Sequence, residues 1–143
     1  MHRGRGSLDP NARHREVVVT QKLIIILANT DPRNCEELGA PIIQASVAAA
    51  MSYNVEVICT GTAAKLLKIG IAEKLHLKPS EPRSVYDFIK EAHAAGVKFF
   101  CCTPELDLFD MRKEDLIPEC SGVVGAAHFI EEIMSSDSKV LTY

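Results

Sequence analysis

Apolar residues along the chain fall into short blocks, separated by Gly, Pro, Asn and Asp, and the period within the blocks changes from one to the next. Val17–Leu27 is apolar at both parities and largely β-branched, the pattern of a central strand buried on both faces. Asn29–Asn34 is a turn-rich break. Pro41 can stand in the first turn of a helix whose apolar positions Ile42, Ile43, Val47, Ala50 and Met51 follow helical spacing. Ala45, Ser46, Ala48 and Ala49 are small enough to let that helix lie close on a sheet. Val55–Cys59 reads as a second strand. Thr62 can cap a helix over Ala63–Ile69, which Gly70 stops, and Ile71–Leu77 offers a further helical turn. After the loop marked by Pro79 and Pro82, Ser84 with Asp87 three residues on resembles a capping box. It opens a helix over Val85–Ala95 with Val85, Phe88, Ile89 and Ala92 on the buried side, ended by Gly96. Lys98–Cys102 is a third strand; Pro104–Asp110 and Lys113–Ile117 are short helical pieces. Gly122–Val124, Ala126–Met134 and Val140–Thr142 complete the series as strand, helix and edge strand. Strands alternating with helices imply parallel pairing through right-handed crossovers. The expected fold is α/β: a three-layer α/β/α sandwich around a mostly parallel five-stranded sheet.

The 143 residues suit one domain. Residues 1–16 have no hydrophobic period and carry four Arg against Asp9 and Glu16, a net +2 that leaves −5 for the remainder. They read either as a basic arm for an anionic partner or as a frayed tail, with 17–143 as the single domain. The longest apolar run, Leu23–Ala28, is far short of the roughly 20 residues that span a bilayer, and the first 16 residues hold no apolar core of the signal-peptide kind. A soluble cytoplasmic protein with reduced cysteines is expected, without a membrane partner. With no Trp, few other aromatics and a net charge of −3, the chain also lacks the stacking platforms and positive charge of a nucleic-acid binder.

In an open parallel sheet, sites form at the carboxyl ends of the strands. Those ends hold Asn29, Thr30, Asp31, Arg33, Asn34 and Cys35 after the first strand and Cys59, Thr60, Gly61 and Thr62 after the second. The third runs into Cys101–Glu105, the fourth into Gly125–His128. Four of the five cysteines lie at or just past these ends, while Cys120 falls on the opposite edge. Their number and placement do not fit a disulfide framework. No Gly-x-Gly-x-x-Gly follows the first strand, no Gly-x-x-x-x-Gly-Lys-Ser/Thr occurs, and Asn29–Asn34 is not the Ser/Thr/Gly-rich loop a flavin phosphate favours. Cys101 and Cys102 are adjacent rather than at zinc-knuckle spacing, and Cys120 and His128 are too far apart for a compact pair. Neither a cofactor nor a metal is expected.

Cys102 precedes Thr103-Pro104-Glu105, a helix-start signature. A thiol there faces unpaired backbone N–H groups and the positive end of the helix dipole, which favour thiolate and lower its pKa. The same donors would hold a persulfide or thiosulfonate, and the Glu105 carboxylate opposes them by repulsion. The alternative is a small apolar residue finishing a buried strand, the reading preferred for Cys101 and Cys59. Cys35 is either a second, resolving thiol or an incidental one. His128 could approach Cys102 or be a structural histidine at a helix start. Asn29, Thr30, Thr60 and Thr62, from neighbouring strand ends, are the expected pocket wall, with Thr103 and Glu105 beside the thiol.

The run Cys102–Ile117 (CTPELDLFDMRKEDLI), with Thr60–Ala63, Gly122–Ile130 and Lys139–Tyr143, resembles DsrE/DsrF-like proteins, and more narrowly their peroxiredoxin-like branch, over about residues 20–143. Pro104 and Glu105 stand where other members often have unconstrained, less acidic residues, and Asp110 stands where a glycine is usual. The resemblance implies a Rossmann-like sandwich, commonly a homo-oligomer, acting as a sulfur carrier or sulfurtransferase. Its cysteine, here Cys102, would take sulfur as a persulfide or thiosulfonate and pass it to a TusA-like carrier or another thiol acceptor. Two other readings stay open: a non-catalytic subunit holding a small ligand or a protein, and a thiol redox protein pairing Cys102 with Cys35.

Overall fold

In the first strand, β1 (Lys22–Leu27), Ile25 and Leu27 pack into one apolar layer and Ile24 and Ile26 into another, so the strand is buried on both faces. The structure is a computed structural model that describes residues 21–28 and 30–143; residues 1–16, with the basic cluster, and 17–20 lie outside the described residues. The other strands are β2 (Asn54–Cys59), β3 (Lys98–Cys102), β4 (Cys120–Val124) and β5 (Ser138–Thr142). They form one sheet in the order β4-β3-β2-β1-β5, and every neighbouring pair is parallel. The helices are α1 (Gly39–Ala50), α2 (Val85–Ala94), α3 (Thr103–Leu108) and α4 (Ala126–Met134). Tight 3-10 turns over Cys35–Leu38, Gly61–Leu67, Ala72–Lys74 and Lys113–Asp115 fill the connections. None of the described helices is long and apolar enough to cross a membrane.

The two faces are covered unequally. Val55, Val57, Cys59, Phe99 and Cys101 join Ile25 and Leu27 in a large core with Ile42 and Ala45 of α1 and Phe88 and Ile89 of α2. Leu106 of α3 and Met111 and Ile117 beyond it belong to the same core. On the opposite face Ile24, Ile26, Ile58 and Val124 meet Phe129 and Ile133 of α4. This follows from handedness. The chain steps from β1 through β4 in one direction, so right-handed connections stay on one face; the return from β4 to β5, beyond β1, puts α4 on the other. The segments leaving β3 and β4 therefore part to opposite faces and open a crevice between these strand ends.

Local signals account for the boundaries of α2. The α2 capping box is formed, the Ser84 hydroxyl accepting from the Asp87 N–H and the Asp87 carboxylate accepting from the Ser84 N–H, and the four residues expected on its buried side are buried. Two expectations need correction. Gly61–Leu67 winds as a 3-10 segment with Thr60, not Thr62, at its N-cap position and no side-chain cap. And α1 packs through Pro41, Ile42, Ala45 and Ala48, leaving Ile43, Val47 and Met51 exposed. The small side chains let the α1 backbone approach the sheet, so the bulkier stripe turns outward. There it lines, with Leu23, Tyr53 and Lys139, an apolar groove of about 330 Å³.

α3 ends in a Schellman motif. The Met111 N–H donates to the Leu106 carbonyl at 2.8 Å and the Asp110 N–H to that of Asp107 at 3.4 Å, with Asp110 at φ 51°. This left-handed position is where glycine is favoured. Asp110→Gly is expected to raise stability by about 0.5–1 kcal/mol, and Asp110→Val to lower it by about 1–2 kcal/mol. Urea denaturation of both variants measures the pair.

Candidate active site

Cys102 ends β3 and is itself the residue capping α3, at φ −74° and ψ 138°. Strand alternation turns its side chain to the α4 face, where it packs with Val124 and Phe129. Here the crevice between the β3 and β4 ends becomes a cavity of about 200 Å³, lined by Thr60, Cys102, Pro104, Glu105, Val124, Ala126 and Phe129. Pro104 lies in the first turn of α3, where its missing N–H costs no hydrogen bond. The Thr103 hydroxyl does not cap the helix; it donates to the Val124 carbonyl at 3.1 Å and ties the β3 end to β4.

Glu105 is only 8% exposed. Its Oε1 accepts from the Thr60 hydroxyl at 3.2 Å and from the Gly61 N–H at 3.0 Å, while Oε2 is buried without a partner. Gly61 reaches this position at φ 57°, where a Cβ would stand 3.0 Å from the Ala28 carbonyl oxygen, so the close approach requires glycine. The donors nearest the strand ends are thus committed to a carboxylate, with consequences for the thiol. Burial pushes the Cys102 thiol above its ordinary value; the Thr60 hydroxyl pulls it back and the Glu105 carboxylate pushes it further up. The thiolate-favouring environment expected from the helix start is therefore corrected. The helix has only six residues, and burial and the Glu105 carboxylate both push the thiol up. Cys101 is pushed up to about 12, chiefly by burial, and the fully buried Cys59 is raised well above its ordinary value for the same reason, as suits core residues.

Of the expected pocket residues, the structure gathers Thr60 and Glu105 around Cys102. Thr30 is buried and does not line this cavity. Thr62 lines a separate depression with Asp31, Arg33 and Lys65. Thr103 braces the strand ends, and Asn29 lies outside the described residues. Cys35 lines a third depression with His76 and Lys78, and its thiol donates to the Pro32 carbonyl at 3.2 Å, so the two candidate thiols open into different places. His128 turns from Cys102 toward Glu56, with its ring 5.6 Å from that of Phe100. The apolar wall of Val124, Ala126 and Phe129 was missed. Its signal lay in the amphipathic start of α4, but only the topology brings that turn over β3.

Comparison with known proteins agrees with this architecture. The model of the DsrE/DsrF/DrsH-like family matches residues 62–141. Among solved structures, the ychN protein of E. coli superposes with a TM-score of 0.65 at 19% identity, covering 85% of this chain and 99% of its own. A protein of unknown function, MTH1491 from Methanobacterium thermoautotrophicum, gives 0.63 at 16% identity over 86% and 99%. A third, BT1422 from Bacteroides thetaiotaomicron, gives 0.62 at 16% identity over 86% and 95%. No curated protein matches the chain by sequence. At these identities the structural likeness establishes the fold.

Proposed function

The chain belongs to the DsrE/DsrF/DrsH-like family, and from that premise we propose that it is a sulfur carrier in which Cys102 holds the sulfur. The observation that carries this reading is the address of the thiol: partly exposed, at a β3 end, in a cavity of about 200 Å³ at the point where the chain parts to both faces. That volume is below the roughly 300–1,000 Å³ of sites for drug-sized ligands and cofactors, and it has room for an added group of a few sulfur and oxygen atoms.

Loading proceeds by exchange. The Cys102 thiolate attacks the terminal sulfur of a donor persulfide, the donor's S–S bond breaks as the new one forms, and the donor leaves as a thiolate. With tetrathionate the same attack leaves a thiosulfonate on Cys102 and releases thiosulfate. Delivery repeats the step, with a thiol of a second protein as the attacking group. The Thr60 hydroxyl stands next to both partners of this chemistry. Its single O–H donates to Glu105 in the resting site and can turn to the sulfur when the thiol ionises, while Phe129 and Val124 give the cavity its apolar side.

Treatment with a persulfide donor or tetrathionate, followed by weighing of the intact chain, tests the proposal. The expected result is one adduct per chain in wild type, removed by a thiol acceptor, and none at this position in Cys102→Ser. Equal labelling of that variant would sink the carrier reading. A Cys35–Cys102 disulfide formed with peroxide would instead favour the redox reading, against the separate locations of the two thiols.

A further inference from the structure

β2 is apolar at its buried positions save one. Glu56 stands between Val55 and Val57, is 6% exposed, and pairs laterally with Ile24 of β1. It shares the α4 face with Ile58. Above it, α4 carries His128 and Glu132, four residues and so about one turn apart on the same side of the helix. One ligand atom from each of Glu56, His128 and Glu132 lies within 4.8 Å of the other two. Glu56 Oε2 is 3.7 Å from His128 Nε2, and neither buried atom has a hydrogen-bond partner.

That spacing is too long for an N–H···O hydrogen bond, which spans about 2.7–3.2 Å. Around a tetrahedral ion with bonds of about 2.0–2.2 Å, ligand atoms stand roughly 3.3–3.6 Å apart, a distance small side-chain shifts would reach. The donor set is one imidazole nitrogen and two carboxylate oxygens, without thiolate, which suits zinc and its neighbours in the first transition row. Lys22 engages Oε2 of Glu132, an outer contact of the kind that orients a ligating carboxylate, and the Phe100 ring flanks the imidazole. Two carboxylates against one lysine also leave uncompensated negative charge that a dication would neutralise.

We propose that Glu56, His128 and Glu132 bind one divalent transition-metal ion of the zinc class, fastening α4 to β2. The His128 side chain is 34% exposed although its Nε2 is buried, so the ion would enter past the imidazole and complete its coordination with water. None of the three ligands lines the Cys102 cavity, though Ala126 and Phe129 of the same α4 segment do. A bound ion would hold that wall of the cavity in place.

Cobalt(II) titration of the full chain, reduced and first stripped with a chelator, reads stoichiometry and ligand type together. The expected result is saturation at one ion per chain, weak ligand-field absorption without an intense thiolate charge-transfer band, and displacement by zinc. His128→Asn and Glu132→Gln should each weaken binding by at least roughly tenfold, with folding checked by circular dichroism. In wild type, one equivalent of zinc should shift the His128 ring resonances, a readout that stands if either variant fails to fold. Absence of saturable binding, equal affinity in the folded variants, a thiolate band at one equivalent, or unmoved His128 resonances would each overturn the proposal.

Discussion

Glu105→Gln is expected to speed alkylation of Cys102 near neutral pH by a factor of roughly three to ten, and to move the rate-against-pH profile to lower pH. The thiolate is the reacting species, and a neighbouring carboxylate opposes the appearance of a second negative charge in a buried place. Glu105 acts in that direction on Cys102, after burial itself. Gln keeps the shape of the side chain and an oxygen for the Thr60 hydroxyl and the Gly61 N–H, so the substitution removes charge with little change in contacts. Thr60→Val should have the opposite sign, because it deletes the hydrogen bond that lowers the thiol's pKa. Iodoacetamide labelling followed by peptide mapping separates Cys102 from the half-buried Cys35 and Cys120. An unchanged rate in Glu105→Gln would mean that the side chain at 105 does not govern the thiol, and a slower one that Glu105 accepts the thiol proton. If ionisation of Cys102 limits sulfur loading, loading should rise in parallel with alkylation. Faster alkylation with slower loading would instead place Glu105 among the groups that bind the donor.

The sequence was most informative where a structural decision is local. The Ser84–Asp87 capping box and the β3 boundaries need only neighbouring residues, and they form as read. The strand–helix alternation, a sum of such local decisions, led to a parallel sheet and put Cys102 at its carboxyl edge. Decisions made between distant segments were harder to read. Both sides of α1 follow helical spacing, and only the separation of helix and sheet selects Ala45 and Ala48 over Ile43 and Val47. The thiol's acidity is legible in sequence only as far as the helix start and the opposing charge of Glu105; burial comes first in the folded chain, and Thr60, 45 residues from Glu105, joins it there. The His128–Glu132 spacing is common in helices; Glu56, more than seventy residues earlier and set among the apolar residues of a strand, is what makes it a constellation.

Glu56→Leu is expected to raise the stability of the metal-free protein by about 1–3 kcal/mol, since replacing buried charge by well-packed apolar groups is often stabilising. Burial pushes the Glu56 carboxyl above its ordinary range, and Glu132 reinforces the shift, while His128 and Lys22 counter it. Deleting Glu56 leaves Lys22 and Glu132 as a matched ion pair and lets leucine join Ile24, Ile26 and Ile58. Urea denaturation in the presence of a chelator should show a higher midpoint at unchanged slope. A lower midpoint would mean that the attraction of His128 and Lys22 for Glu56 exceeds the cost of burying it. Zinc should then remove most or all of the variant's advantage. A ligand at one hundred times its dissociation constant stabilises the native state by about 2.7 kcal/mol, and only wild type keeps all three ligands. If the variant is more stable with chelator and loses that advantage in zinc, the buried carboxylate is a ligand retained at the expense of the apoprotein. An advantage that zinc leaves untouched would make Glu56 a charge with no metal to hold.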